Sequence, residues 1–379
     1  MDYLSILGWL VTVLALCSAG YSVLSAYLAG RFAHKPDAEG HTFPAATVLK
    51  PLHGAEAALE ENLASFFEQD YPAPFQLVFG VQDENDVAIA VVERLRRRYP
   101  EADAALVVDS RRHGANAKVS NLINMHAQSR HDVLILSDSD IAVRSDYLRK
   151  LAGAMEPADV GAVTCLYTGW GAEGLGSRLC AMGIDYQFLP NAIVAISFGL
   201  AEPCSGSTIA LKRAVLDGIG GLEAFAGYLA DDYEIGRAVR ASGRRIAIPA
   251  MTVKHACSEN SIRDWLAHEL RWARTIRVVA PSGHAGSIVT YAIPLGVMGV
   301  ILSGFTVFAL ISLAATLAAR AVLKWRIDLL FGCNGGPLWL LPVRDVLSFG
   351  VFVVSLFGRS VEWRGERLQV KQDGALLNR

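Results

Sequence analysis

Five carboxylates stand out by their placement. Asp138 and Asp140 close the apolar run LILSDSDIAV at 134–143, Asp83 follows another in VFGVQDEND, and Asp231 with Asp232 opens DDYEIG. Two carboxylates two residues apart repel unless a cation lies beside them. A hard divalent ion, Mg²⁺ or Mn²⁺, suits such a pair, and a diphosphate commonly completes its shell. An S-D-S-D run also serves as a polar turn before a helix, so the D-x-D spacing leaves both readings open. Asp231 beside Asp232 raises the proton affinity of the latter, a property of a general base. Either acid would equally complement a helix dipole.

Cationic and imidazole groups accompany them. Lys50 ends TVLKP, and Lys118 in GANAKVSNL lies between a glycine and a helix, where a phosphate would sit; both also read as solvated lysines at element ends. His255 in VKHA is a candidate third metal ligand or a structural histidine. In SIRDWLAHELRWARTIR (261–277), Arg271, Arg274 and Arg277 form a basic stripe, with Trp265, Leu266, Trp272 and Ile276 as apolar or amphipathic neighbours. That pattern fits an interfacial helix offering guanidinium to a leaving diphosphate, or an anchor with its arginines on lipid phosphates. HELRW is not the H-E-x-x-H of a zinc protease, and GLGSRL lacks the strand and third glycine of a dinucleotide site. CSGS (204–207) reads as part of an acceptor pocket or as a tight turn.

Alternating elements must position these groups. Short apolar runs at 46–50 (ATVLK), 76–81 (QLVFGV), 104–108 (AALVV), 132–137 (DVLILS) and 160–166 (VGAVTCL) predict strands. Between them, AALEENLASFFEQ (57–69), DVAIAVVERLRRRY (86–99, capped by Asn85 or Asp86) and SDYLRKLAGAM (145–155, capped by Ser145) predict helices. Strand–helix alternation implies an α/β, Rossmann-like, mostly parallel sheet with helices on both faces. Ligands bind such sheets at the carboxyl ends of the strands, where Asp83 and Asp138 fall.

The 379-residue chain is 52% hydrophobic, with mean hydropathy +0.32. Residues 3–30 carry no charged side chain, and about 20 apolar residues span a bilayer. Arg31, His34 and Lys35 after the segment, against Asp2 before it, predict an outside N-terminus and a cytoplasmic body. Residues 288–319 are also uncharged, too many for one upright span, and a fold-back near Gly296, Gly299 and Gly304 is one solution. A second apolar stretch, 329–358, is interrupted by Arg344 and Asp345, and a basic tail follows. Two crossings after the body satisfy this pattern; an interfacial or re-entrant 329–358 is the other reading. The expected organisation is an N-terminal membrane helix and linker (1–35), a catalytic domain (40–285) including the interfacial helix, membrane segments (286–360) and a cytoplasmic tail (361–379). A formal charge of −2 gives no reason to expect nucleic acid, and six cysteines without a C-x-x-C pair predict neither disulfide nor zinc site.

The order of Asp83, Asp138 in D-S-D, Asp232 in D-D-Y and Arg271–Trp272 resembles the D, D, D, (Q/R)-x-x-R-W series of family 2-like and ceramide glucosyltransferase-like enzymes. Within these it is most similar to the bacterial hopanoid biosynthesis-associated group, through TVLKPLHGAE, FGVQDENDVA, HGANAKVSNL, LSDSDIAV, GSTIALKR, LADDYEIG and AHELRWARTIR. The resemblance implies a GT-A-like domain on membrane helices at the inner membrane, with the catalytic domain in the cytoplasm. It implies inverting transfer of a sugar, N-acetylglucosamine, from a UDP-sugar to the hydroxyl of a lipid such as bacteriohopanetetrol. Glucose transfer to ceramide and a non-catalytic, membrane-anchored binding protein are the alternatives. By the same resemblance Asp83 contacts the uridine, Asp138 and Asp140 hold the metal-diphosphate, and Asp232 is the base. The resemblance likewise implies that Arg271 and Trp272 frame the diphosphate and acceptor entry; Lys50, Lys118, His268 and Arg274 are candidate donor-binding residues by their own position in the chain. His268 stands where that motif has Gln or Arg.

Overall fold

The computed structural model describes residues 3–36, 40–54, 56, 58–171, 174–357, 360–363, 366–370 and 376–377. The chain divides into two compact units. One comprises Lys35–Tyr167, Glu202–Ser258 and Leu368–Arg379; the other comprises Met1–His34, Thr168–Ala201 and Glu259–Arg367.

The first unit is built on β1 (Ala46–Pro51), β2 (Phe75–Val81), β3 (Asp103–Val108), β4 (Val133–Leu136), β5 (Ile141–Ala142), β6 (Val160–Thr164), β8 (Ile209–Lys212), β9 (Arg245–Ala247) and β10 (Thr252–Cys257); β7 (Leu166–Gly171) continues from β6 after Cys165. The main sheet has the order β3-β2-β1-β4-β8-β6-β9. β3, β2, β1 and β4 are mutually parallel, as strand–helix alternation predicts; β8 runs antiparallel to both neighbours, so the sheet is mixed. β1 and β4 are buried throughout, which explains continuous apolar runs in place of alternation. Successive side chains still part to opposite faces. Val48, Phe79 and Ile135 join one core cluster, while Leu49, Val78 and Leu134 join the other.

Helix starts differ in detail from expectation. Asp86 accepts from the Ala88 amide at 2.9 Å at the head of Ala88–Arg98. Tyr147–Met155 begins after Asp146, not on Ser145, and the Asp146 carboxylate is drawn instead to Arg144 and Lys150. Ala117–His126 is capped by Asn116, whose Oδ1 accepts from the Val119 amide at 3.1 Å. Its inner face is polar: Asn121 donates to the Gly80 carbonyl, and Asn124 donates to those of Asp109 and Arg111. These bonds tie the helix to β2 and to the loop that leaves β3.

Three described helices or helix pairs of the second unit are long and apolar enough to cross a bilayer: Tyr3–Ala33, Gly174–Ser197 and Val307–Phe331. Pro281–Thr290 and Ala292–Leu302 would form a fourth span bent by 66°. The uncharged 288–319 stretch does fold back, at Gly304 and Phe305, both with positive φ. Close approach within this unit uses small residues: a Cβ on Gly299 would lie 2.7 Å from Thr12 Oγ1, and one on Gly8 would lie 2.7 Å from the Leu302 backbone. The charges that interrupt 329–358 point inward. Asp345 accepts two bonds from Arg320, at 2.7 and 2.8 Å, and Arg344 is buried with Glu269 at 3.7 Å. A paired, inward-facing charge is the arrangement an apolar surround tolerates.

Candidate active site

The carboxyl edge of the main sheet collects the acidic residues of the first unit. β4 ends at Leu136, and Asp138 stands two residues on. β1 ends beside it, with Leu49 in register with Leu136. Lys50, fully buried at that end, donates to the carbonyl of Asp138 and to that of Ile141 at 3.3 Å, and its ammonium lies 4.0 Å from the centre of the Phe66 ring. Burial lowers its pKa to about 7, against the opposing pull of Asp140, Asp138 and Glu56. Lys50 therefore braces the D-x-D turn from beneath.

Lys118 bridges the two acidic motifs. Its Nζ lies 2.8 Å from Asp138 Oδ1 and 3.2 Å from Asp231 Oδ2. Burial works against its charge, but Asp138, Asp231 and Asp232 outweigh that and raise its pKa. A second link runs through the backbone of one residue: the Gly206 carbonyl accepts from the Asp138 amide at 3.1 Å, and the Gly206 amide donates to Asp232 Oδ2 at 2.9 Å. A Cβ there would stand 2.6 Å from Asp138 Oδ2 and 2.8 Å from Lys118 Nζ, so any larger residue would push both side chains aside. Asp232 opens the Asp231–Ala241 helix, and its Oδ1 accepts from the Tyr233 amide at 2.8 Å. Burial and then Asp231 push its carboxyl up to about 6, against Lys118 and the two amide bonds. Asn116 steadies Asp231, with Nδ2 3.3 Å from Oδ1.

β10 pairs antiparallel with β5 and places His255 opposite Ile141. His255 Nδ1 is 3.4 Å from Asp140 Oδ2, and its ring meets Tyr167 edge-on. Glu56 adds a fifth acid: it accepts a bond from Ser139, and its Oε2 is buried without a hydrogen-bond partner. Burial, then the charge of Asp140, pushes its carboxyl up to about 7. Five carboxyls thus face two ammonium groups at this edge. Asp138, Asp140 and Glu56 are hard oxygen donors of the kind a divalent cation takes, yet among the described residues they do not bring three ligand atoms within 4.8 Å of one another.

Not every anticipated residue joins this cluster. Asp83 lies on the same edge beyond β2, exposed, with Oδ1 accepting from the Asn85 amide at 2.9 Å. His268, Arg271, Trp272 and Arg274 belong to the second unit, on the Ile262–Val279 helix. There His268 pairs with Glu259 and meets Trp272 edge-on, with centroids 4.6 Å apart. Trp265 is fully buried, whereas Leu266 and Ile276 are exposed. Arg277 donates to the Leu356 carbonyl and Arg274 to that of Phe357 at 3.4 Å, both carbonyls just past the Leu340–Ser355 helix. Sequence reasoning missed Glu56, Asn116 and the linking role of Gly206. Their only trace was position: an acid shortly after β1, an asparagine before a helix, a glycine before β8.

Residues 9–376 match Glycosyl transferase family 21. The chain belongs to that family. It is 26% identical over 362 residues to ceramide glucosyltransferase 3 of Caenorhabditis elegans, covering 91% of this chain and 76% of the relative. It is 29% identical over 260 residues to ceramide glucosyltransferase 1 of the same organism, covering 66% and 55%. Among solved structures, a mannosyltransferase from Pyrobaculum calidifontis in complex with GDP-Man and Mn²⁺ matches 93% of this chain and 99% of its own, with TM-score 0.52 and 20% identity. The fold is GT-A-like, and this family 21 chain is a sugar-nucleotide-dependent glycosyltransferase.

Proposed function

We propose that this enzyme is an inverting, metal-dependent transferase that moves N-acetylglucosamine from a UDP-sugar to the hydroxyl of a membrane lipid such as bacteriohopanetetrol. The observation that carries the reading is the Gly206 backbone, whose carbonyl accepts from the Asp138 amide and whose own amide donates to the Asp232 carboxylate. The backbone that carries the diphosphate-side Asp138 is thereby tied to a carboxylate with raised proton affinity.

Asp232 removes the acceptor hydroxyl proton as the oxygen attacks the anomeric carbon, and the bond to UDP breaks with its electron pair leaving on the diphosphate. Its place at about 6 keeps it ionised near neutrality while still a competent acceptor. Burial raises that affinity most and the Asp231 charge adds to it, and Asn116 keeps Asp231 in place. Asp138 and Asp140, with Glu56 and His255 beside them, would hold a Mg²⁺ or Mn²⁺ ion, which neutralises charge on the departing diphosphate when bound. Lys118 stays between Asp138 and Asp231 and adds a second positive charge on that side. Asp83 serves the uridine from the β2 end, and Arg271, Trp272 and Arg274 serve the diphosphate and the acceptor entry. The apolar helices and the basic residues Arg31, His34 and Lys35 at the end of the first of them support placement at the inner membrane with the catalytic unit on the cytoplasmic face.

Transfer of glucose to ceramide is the second reading, favoured by the ceramide glucosyltransferases among the relatives. Purified enzyme incubated with a panel of UDP-sugars and with hopanoid or ceramide acceptors, followed by mass spectrometry of the lipid, separates the two. Glucosylceramide as the sole product would replace the first reading with the second. Absence of UDP release with every donor and acceptor would leave a binding protein.

A further inference from the structure

The histidine that replaces Gln or Arg in the R-W motif has a setting of its own. Ser261 caps the Ile262–Val279 helix by accepting from the Asp264 amide at 3.1 Å, which fixes His268 on its second turn. Glu259 lies just before that cap and is 7% exposed. From the other side comes the Gly174–Gly183 helix. Gly176 lets it approach closely, because a Cβ there would lie 2.6 Å from the Glu259 carbonyl and 2.5 Å from that of Ser261. One turn on, on the same face, Cys180 reaches the Glu259 carboxylate. The thiol, the carboxylate and the imidazole bring one ligand atom each within 4.8 Å of one another.

As bare protein this cluster is under-satisfied. Glu259 Oε2 and His268 Nε2 are buried without hydrogen-bond partners. A buried carboxylate oxygen left so is unfavourable, and native structures rarely leave one. A Glu–His hydrogen bond alone would not call for a thiol at the same point. Sulfur, nitrogen and oxygen together suit a borderline-soft ion, whereas Mg²⁺ and Mn²⁺ prefer oxygen. The spacing of 180, 259 and 268 hides the set from any C-x-x-C search, since helix packing rather than a local loop assembles it.

We propose that Cys180, Glu259 and His268 form a binding site for a zinc-type divalent cation, with one coordination position left to water or another outside donor. The ion would cross-link the Gly174–Gly183 helix to the helix carrying Arg271 and Trp272, one turn after His268.

The test uses the full chain in detergent, stripped by chelator and titrated with Co²⁺ in excess Mg²⁺. The wild type should bind about one Co²⁺ with a near-ultraviolet thiolate-to-cobalt band that Zn²⁺ abolishes. Cys180→Ser should lose the band, and Asp138→Asn should keep it. His268→Gln, which restores a residue of the family motif, should weaken Co²⁺ binding at least about tenfold. No thiolate band in the wild type, a band that survives Cys180→Ser, or unchanged affinity in His268→Gln would overturn the proposal. Should Cys180→Ser not fold, the wild-type spectrum and the His268→Gln affinity still decide.

Discussion

Substituting Gly206 by alanine perturbs the acidic cluster at its narrowest point. The new methyl would sit 2.6 Å from Asp138 Oδ2 and 2.8 Å from Lys118 Nζ, against ordinary contact at 3.4 Å, so each group must retreat by roughly 0.6–0.8 Å. Gly206 has no positive φ, so alanine brings no backbone strain. Both displaced atoms are ends of flexible side chains, and the fold should absorb the change with a Tm shift under about 5 °C. The Lys118–Asp138 pair, at 2.8 Å, cannot survive unchanged. A hydrogen bond to a charged group contributes about 1.5–3 kcal/mol, which translates into roughly a 10- to 150-fold loss in kcat/KM for the donor. The assay is transfer of radiolabelled sugar to lipid at varied UDP-sugar concentration, with Tm measured on the same preparation. A variant with wild-type kcat/KM would refute the reasoning. So would a variant that fails by unfolding, because the displaced groups would then not be the ones that yield.

Asp232→Asn should lower turnover by at least about 10², with donor affinity preserved; near-normal turnover would remove it as the base. The group loses its function when protonated, so kcat/KM in the wild type should fall about tenfold per pH unit below its value of about 6 and level off above it. A flat profile from pH 5 to pH 7 would contradict the assignment. Asp138→Asn should weaken metal-dependent donor binding, which calorimetry with and without Mn²⁺ would show as unchanged if the residue played no such part. Glu56→Gln should raise the Mg²⁺ or Mn²⁺ concentration needed for half-maximal rate by at least about tenfold, while an unaltered metal titration would exclude Glu56 from the cation site.

Much of the first unit was legible because its signals are local. Buried parallel strands must be apolar along their length, so VLILS and QLVFGV announced β4 and β2, and the edge where Asp138 and Asp83 emerge followed from strand direction. The Gly174–Ser197 span was harder to read. Its apolar character is diluted by Arg178 and Asp185, of which Asp185 is buried and accepts from the Gly169 amide at 2.7 Å. Arg344 and Asp345 misled in the same way, since a charge inside an apolar stretch reads as an interruption until its partner across the helix bundle is known.

By itself the sequence determined which residues could carry charge at the strand ends, where the N-terminal apolar helix lies, and that Asp231 and Asp232 start a helix. Tertiary structure alone decided that Lys118 bridges Asp138 to Asp231, that the backbone of one glycine ties Asp138 to Asp232, and that Cys180 meets His268 from another helix. The physical reason is range. Hydrophobic period and capping act over a few residues and leave a mark in the chain, whereas ion pairs and close glycine contacts join segments dozens of residues apart. Those contacts exist only after packing has chosen which segments meet.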